Sequence, residues 1–211
     1  MVRCADKEFS QNVFINCPFT KDFEDLLKPL VFTVIRVGLN PRLSFENQNA
    51  AKARLEAILE LMINSKYSIH DLSLNHAAKA GDEFRMNMPF ELGIDYGIIK
   101  FDAAGRSQEK QILILEDRPF ITKKTISDMA GADFLSHKND PEELVTEVVI
   151  WLANVIKREF APSLIWDQYN YYKADDYARL TSSGYRPADI NKQTIPQSIR
   201  SMKKWISNNP L

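Results

Sequence analysis

The chain is poor in the residues that build the commonest reactive centres. Its 211 residues hold two cysteines, Cys4 and Cys17, too few for a disulfide framework. The three histidines, His70, His76 and His137, are scattered, and no Cys/His cluster has zinc spacing, so no metal is expected. The seven glycines (Gly38, Gly81, Gly93, Gly97, Gly105, Gly131 and Gly184) never fall into G-x-G-x-x-G or Walker spacing. Such loops bring backbone N–H groups up to phosphates, and their lack argues against a nucleoside triphosphatase or a Rossmann dehydrogenase. No G-x-S-x-G elbow occurs, which argues against a serine hydrolase of that design. No cofactor is expected.

Long apolar runs are missing as well. The opening MVRCADKEFSQN lacks the apolar core of a signal peptide, and no stretch approaches membrane length. A cytoplasmic location without a membrane partner is the expectation. The net charge of -1 leaves no electrostatic footprint for nucleic acid or an acidic membrane surface.

What is present is ordinary globular material, 45% hydrophobic and 26% charged, in alternating strand and helix patterns. Residues 12–16 (NVFIN) are an apolar run stopped by Cys17-Pro18, the pattern of a buried strand. Residues 22–37 read as a helix with Phe23, Leu26, Leu27, Leu30, Val31 and Val34 on one face. Pro29 removes a backbone donor there and predicts a kink or a late helix start. A weak second strand is expected at 42–45. An amphipathic helix follows at 51–64, with Leu55, Ile58, Leu59 and Met62 as its stripe. A third strand at 67–72 leads to a helix at about 89–99, with Pro89 in its first turn. Then come a fourth strand at 111–115, a short helix at 122–129 and an edge strand at 133–136. Asp140-Pro141-Glu142-Glu143 starts a long final helix of the domain.

Strands alternating with helices imply a parallel sheet with right-handed crossovers and helices on both faces. The expected fold is α/β: a five-stranded parallel flavodoxin-like sheet in a domain spanning 1–161, with a helical C-terminal extension over 162–211. The extension gathers Trp166, Tyr169, Tyr171, Tyr172, Tyr177 and Tyr185 ahead of a basic helix at 195–207. Packing on the core is the plainer reading of these rings; a homo-oligomer face or a site lining are the alternatives.

In such sheets ligands bind beyond the C-terminal strand ends, at the switch in strand order. That rule selects Asn16, Cys17, Pro18 and Phe19 after the first strand, Ser44 and Glu46 after the second, Asp71 and Ser73 after the third, and Glu116 and Asp117 after the fourth. Residues 88–97 (MPFELGIDYG) stand out beside them. Glu91 near the start of an apolar, Gly-bearing helix sits where the helix N-terminus favours an ionised carboxylate, as a nucleophile or cation stabiliser requires. Asn87 just before it, and Asp95 one turn on along the same face, join the candidates. Glu91 has an equally physical alternative, since glutamate at a third helical position reaches back toward the cap and offsets the dipole. Asp71 is either a general acid or a side chain that fixes the following loop. Arg54 and Arg85 read as phosphate contacts or as solvated surface arginines. Cys17 reads as a thiolate nucleophile or as a buried free thiol, with no histidine placed to activate it. His70 reads as packing beneath a helix.

The segments 13–19 (VFINCPF), 65–72 (SKYSIHDL), 89–97 (PFELGIDYG) and 110–117 (KQILILED) together resemble the nucleoside 2-deoxyribosyltransferase-like group, a relative of the TIR (Toll/interleukin-1 receptor) domains. The similarity covers about residues 12–137 in order and spacing. It implies that Glu91 is the glutamate acting at the anomeric carbon of a ribosyl group, and Asp71 an acidic residue near the leaving base. It also implies a nucleotide or nucleoside partner and a homo-oligomer. Two positions depart from the pattern. Arg85-Met86-Asn87 replaces an acidic residue ahead of Glu-Leu-Gly, and Phe19 stands for the aromatic after the first strand but has no hydroxyl. The expected function is an N-glycosidase, hydrolase or transferase, cleaving the ribosyl–base bond of NAD or of a nucleoside or nucleotide. The alternative is a non-catalytic nucleotide-sensing or TIR-like interaction module.

Overall fold

The computed structural model describes residues 6–44, 53–73, 86–102, 109–129 and 131–211. Strands β1 (Asn12–Asn16), β2 (Asn40–Leu43), β3 (Tyr67–Asp71), β4 (Gln111–Glu116) and β5 (Phe134–Ser136) form one all-parallel sheet in the order β2-β1-β3-β4-β5. This is the flavodoxin-like order, and the α/β expectation holds. The central strands β1 and β3 are buried at every position, because helices cover both faces.

Alternate side chains divide the core in two. Val13, Ile15, Ile69, Leu113 and Leu115 face helices α2 (Glu24–Arg36) and α6 (Pro141–Ile156). On the other side Phe14 packs with α3 (Arg54–Ile63), and Ile114 with Met88 and Leu92 of α4 (Asn87–Phe101). The short helices α1 (Asp6–Phe9) and α5 (Ile121–Thr125) flank the sheet in sequence.

Four local expectations change. The late start expected for the Pro29 helix is not observed: a 3-10 turn at Lys21–Phe23 runs into α2 at Glu24, and Pro29 is buried inside the helix. Packing of Leu26, Leu27 and Leu30 on the sheet outweighs the one lost backbone bond. The second strand begins at Asn40, not 42, with Asn40 N–H donating to the Gln11 carbonyl at 2.8 Å. Pro41 is tolerated because β2 is an edge strand. Helix α3 buries Ala57, Ile58, Leu61 and Met62 and leaves Leu55 exposed, so its inner face is rotated from the expected stripe toward the small Ala57. Helix α4 starts at Asn87, two residues before the expected 89.

The last 50 residues supply helices α7 (Pro162–Ser182), α8 (Pro187–Ile190) and α9 (Ile195–Asn208). Their aromatics gather on Phe32 of α2, which is fully buried. The rings of Tyr169 and Tyr172 both lie 5.5 Å from Phe32, Trp205 lies 6.0 Å away, and Trp166 stacks on Tyr169. Buried Arg36 ties the end of α2 to this layer, donating to Gln168 Oε1 at 2.5 Å and to the Asn209 carbonyl at 2.6 Å. Packing on the core is therefore what Tyr169, Tyr172 and Trp205 do, while Tyr171 is exposed. Among the described residues no helix is long and apolar enough to cross a membrane.

Phe32 is the common platform of these rings, so Phe32→Ala should cost about 3–5 kcal/mol, the range for emptying a buried aromatic site. Urea denaturation followed by tryptophan fluorescence measures this. Tyr171→Ala, on the exposed side of α7, should stay within about 0.5 kcal/mol of the parent.

Candidate functional site

A buried polar relay runs beneath α4 to the C-terminal end of β1. The Asn16 amide Nδ2, at the end of β1, donates to the Met88 carbonyl at 3.1 Å and lies 3.0 Å from His70 Nδ1. An amide nitrogen can only donate, so His70 Nδ1 is the acceptor and its Nε2 carries the proton. That Nε2–H faces Asp95 Oδ2 at 3.1 Å. Asp95 Oδ1 lies 3.0 Å from Lys110 Nζ, which also donates to the carbonyls of Met62 at 2.7 Å and Ser65 at 2.8 Å. The side chains of His70, Asp95 and Lys110 are wholly buried. Burial pushes the Asp95 carboxyl up, but the His70 hydrogen bond and the Lys110 ammonium pull it down to about 2. Burial lowers Lys110, with Asp95 pulling the other way.

This relay corrects one expectation. Asp95 does not reach into the crevice; it lies under α4, between Lys110 and His70, with no exposed surface. His70 does pack beneath a helix, edge-on to Phe14, and it is also the link between Asp95 and Asn16.

Glu91 shares the inner face of α4 with Met88, Leu92 and Asp95, the i, i+3, i+4 spacing of one helix side. Because α4 begins at Asn87, Glu91 is its fifth residue, and the first turn contains no acid. The capping alternative falls with that placement. Glu91 is 8% exposed, and among the described residues no hydrogen bond or ion pair holds its carboxylate. Burial raises its pKa, and the charge of Arg54 on α3 lowers it. Cys17 lies within electrostatic reach of both Asp71 and Glu91: burial pushes its thiol well up, and the two carboxylates push it further. Cys17 is thus a buried, protonated thiol, not a nucleophile.

A second cluster sits at the end of β3. Asp71 Oδ1 accepts the Ser73 amide N–H at 2.8 Å, and Oδ2 lies 3.1 Å from His137 Nε2. Ser73 Oγ lies 3.0 Å from the same His137 nitrogen. The trio has the composition of a nucleophilic triad but the wrong connectivity. His137 Nδ1 accepts the Asn139 amide N–H at 3.1 Å, which leaves the proton on Nε2, facing Ser73. A ring nitrogen that already carries a proton cannot remove one from Ser73. His137 was not among the sequence candidates. It follows the short strand β5, so the strand-end rule applied to that strand would have selected it. Lys138 and Asn139, both at positive φ (54° and 57°), make the tight turn that sets the Asn139 amide on His137 Nδ1.

The other candidates divide by position. Pro18 is buried, Phe19 and Asn87 are exposed, and Ser44 is half-buried at the end of β2. Glu46, His76 and Arg85 lie outside the described residues. Glu116 is engaged structurally, its two oxygens accepting the amides of Phe120 at 2.6 Å and Thr122 at 3.0 Å. Among the described residues no group of three or more His, Cys, Asp or Glu is placed to hold a metal ion. A cavity of about 680 Å³ lies away from Glu91, between α2, α7 and α9. Among its lining charges Lys28 pairs with Glu24, Asp176 pairs with Arg179 and Lys173 sits over the Tyr169 ring. No family model matches the chain, and neither does any curated protein or solved structure.

Two stability measurements follow. Removing one partner of a buried ion pair costs about 3–5 kcal/mol, so Asp95→Asn should be strongly destabilised. Because the native Asp95 carboxyl is depressed, its contribution is full above the unfolded value of about 3.9 and is lost as pH falls toward about 2. Chemical denaturation as a function of pH should therefore show a flatter acid limb in Asp95→Asn. Glu91 has the opposite sign. Its raised carboxyl makes ionisation a cost to the native state at neutral pH, a cost that fades as pH falls through the native value toward the unfolded one. Glu91→Gln should be more stable than the parent at pH 7, with the gap closing in acid.

Proposed function

We propose that the protein is an N-glycosidase acting on the ribosyl–base bond of a nucleotide-type substrate, NAD before free nucleosides, with Glu91 as the group that meets the anomeric carbon. The observation that carries this reading is the Glu91 carboxylate itself: buried at the strand-end crevice, desolvated, and held by no hydrogen bond or ion pair among the described residues. Cleavage of such a bond passes through an oxocarbenium-like state, and a carboxylate in a low-dielectric site stabilises that cation far more than one in water. The C1′–N bond breaks with its electron pair going to the base; water then adds at C1′ and releases a proton. Arg54, exposed on α3 and close enough to act on Glu91, is the candidate to hold a phosphate of the same substrate.

Asp71 decides between leaving groups. A nucleoside base departs as an anion unless an acid protonates it, whereas nicotinamide departs from NAD as a neutral molecule. A general acid needs an edge turned toward the leaving base. Asp71 has no exposed surface: its Oδ1 accepts the Ser73 amide N–H, and its Oδ2 is enclosed 3.1 Å from His137 Nε2. That arrangement favours the leaving group that needs no proton.

Chromatographic base release from NAD, NADP and a panel of nucleosides, with circular dichroism as the folding control, tests the reading. The expected result is nicotinamide release that disappears in Glu91→Gln and persists in Asp71→Asn. Loss of base release from nucleosides in both variants would move the substrate to that class. Thermal stabilisation by nucleotides with no base released from any of them would replace the enzyme by a binding module.

A further inference from the structure

Helix α4 is apolar on its outer side as well as its inner one. Opposite the buried face of Met88, Glu91, Leu92 and Asp95, Phe90 is 58% exposed, Tyr96 48% and Phe101 87%, and Met86 just ahead of the helix is 60% exposed. At 3.6 residues per turn Gly93 and Gly97 run along the midline of this outer face, with Phe90 and Phe101 on one flank and Tyr96 and Lys100 on the other. Lys100 sits over the Tyr96 ring, 5.3 Å from its centre. Among the described residues no atom outside the helix backbone lies within 4 Å of where a Cβ would stand on either glycine. Glycine is the poorest helix former after proline, and among the described residues nothing uses the space these two leave. A helix that is apolar all round is normally covered all round.

We propose that this face is the contact between two copies of the chain, with α4 packed antiparallel on α4 across a two-fold axis between Gly93 and Gly97. Two arguments select a second copy as the occupant. The first is area. At about 200 Å² per ring, the exposed parts of Phe90, Tyr96 and Phe101 offer roughly 400 Å² per copy. With Met86 and the glycine backbones, the pair buries on the order of 1,000 Å², where specific interfaces begin. The second is self-complementarity. An antiparallel two-fold keeps each flank opposite itself, setting Gly93 against the partner's Gly97 and Phe90 against the partner's Phe101. The two Lys100 ammonium groups then lie at opposite ends of the contact, whereas a parallel pairing would bring them together. This surface is separate from the inner face that carries Glu91, and its assignment does not depend on the chemistry proposed there.

Sedimentation equilibrium across the micromolar range tests the proposal. The parent chain should form a dimer, and Gly93→Arg and Phe101→Glu should each raise its dissociation constant roughly 30-fold or more, the scale of an interface hot spot. Both positions are open or exposed within the chain, so far-UV circular dichroism and the thermal midpoint of the monomer should not change. Disulfide trapping in a Cys4→Ser background reports the geometry: Phe90→Cys mixed with Phe101→Cys should cross-link, and neither alone should. A monomeric parent, or a dimer that keeps its affinity in both variants, overturns the interface. Cross-linking of Phe90→Cys with itself overturns the antiparallel pairing.

Discussion

The position of α4 depends on one buried ion pair, and the crevice depends on α4. Lys110 and Asp95 lose water completely, at a desolvation cost of several kcal/mol per ion, which only close geometry and further hydrogen bonds offset. The geometry is close. Lys110 also meets two backbone carbonyls, from the end of α3 and the turn before β3, while Asp95 holds the proton-bearing side of His70. An apolar pair at the same positions would hold the helix at a similar depth without choosing its rotation. The ion pair chooses it, because Asp95 faces Lys110 and His70 at only one rotation of α4. Asn16 then fixes the other end of the helix through the Met88 carbonyl. Glu91 lies between these two anchors and needs no partner of its own to be held in place.

The sheet was legible because parallel strands buried on both faces read as short apolar runs between turn residues. β1, β3 and β4 were found that way. β2 was displaced because Asn40-Pro41 carries the signature of a turn, and only its place at the sheet edge, a tertiary fact, makes proline harmless there. The inner face of α3 was misjudged for a similar reason: Leu55 is the larger apolar group, but Ala57 allows closer approach, and packing chose closeness.

The site was legible in its acids and illegible in its bases. Glu91 and Asp71 stood out by position in the chain. Nothing in the sequence marks Lys110 as buried, since a lysine ahead of a strand ordinarily reaches solvent, and its partner Asp95 is fifteen positions away on another element. His137 was hidden behind a three-residue edge strand, and its tie to Asp71 spans 66 positions of chain. Which cation neutralises which carboxylate depends on contacts between elements, and hydrophobic periodicity carries no information about those. Helix boundaries have a similar effect on a smaller scale. Starting α4 at Asn87 in place of residue 89 moves Glu91 out of the capping position and changes what its carboxylate is for.

Asp71, Glu91 and Asp95 are all buried, and their surroundings separate them. Asp95 is neutralised by Lys110 and held by His70, and its low pKa records how strongly the interior keeps it ionised. Asp71 has one oxygen on the Ser73 backbone amide and the other enclosed 3.1 Å from His137 Nε2, and it has no exposed surface. For Glu91 burial opposes the charge and raises its pKa, and among the described residues the exposed Arg54 pulls back. A carboxylate in that condition is a net cost to the folded chain. An amide or apolar side chain at position 91 would fit the same face of α4 without that cost. Contacts among the described residues therefore do not account for the charge at position 91, and on the function proposed above its complement is the positive centre that develops at the anomeric carbon.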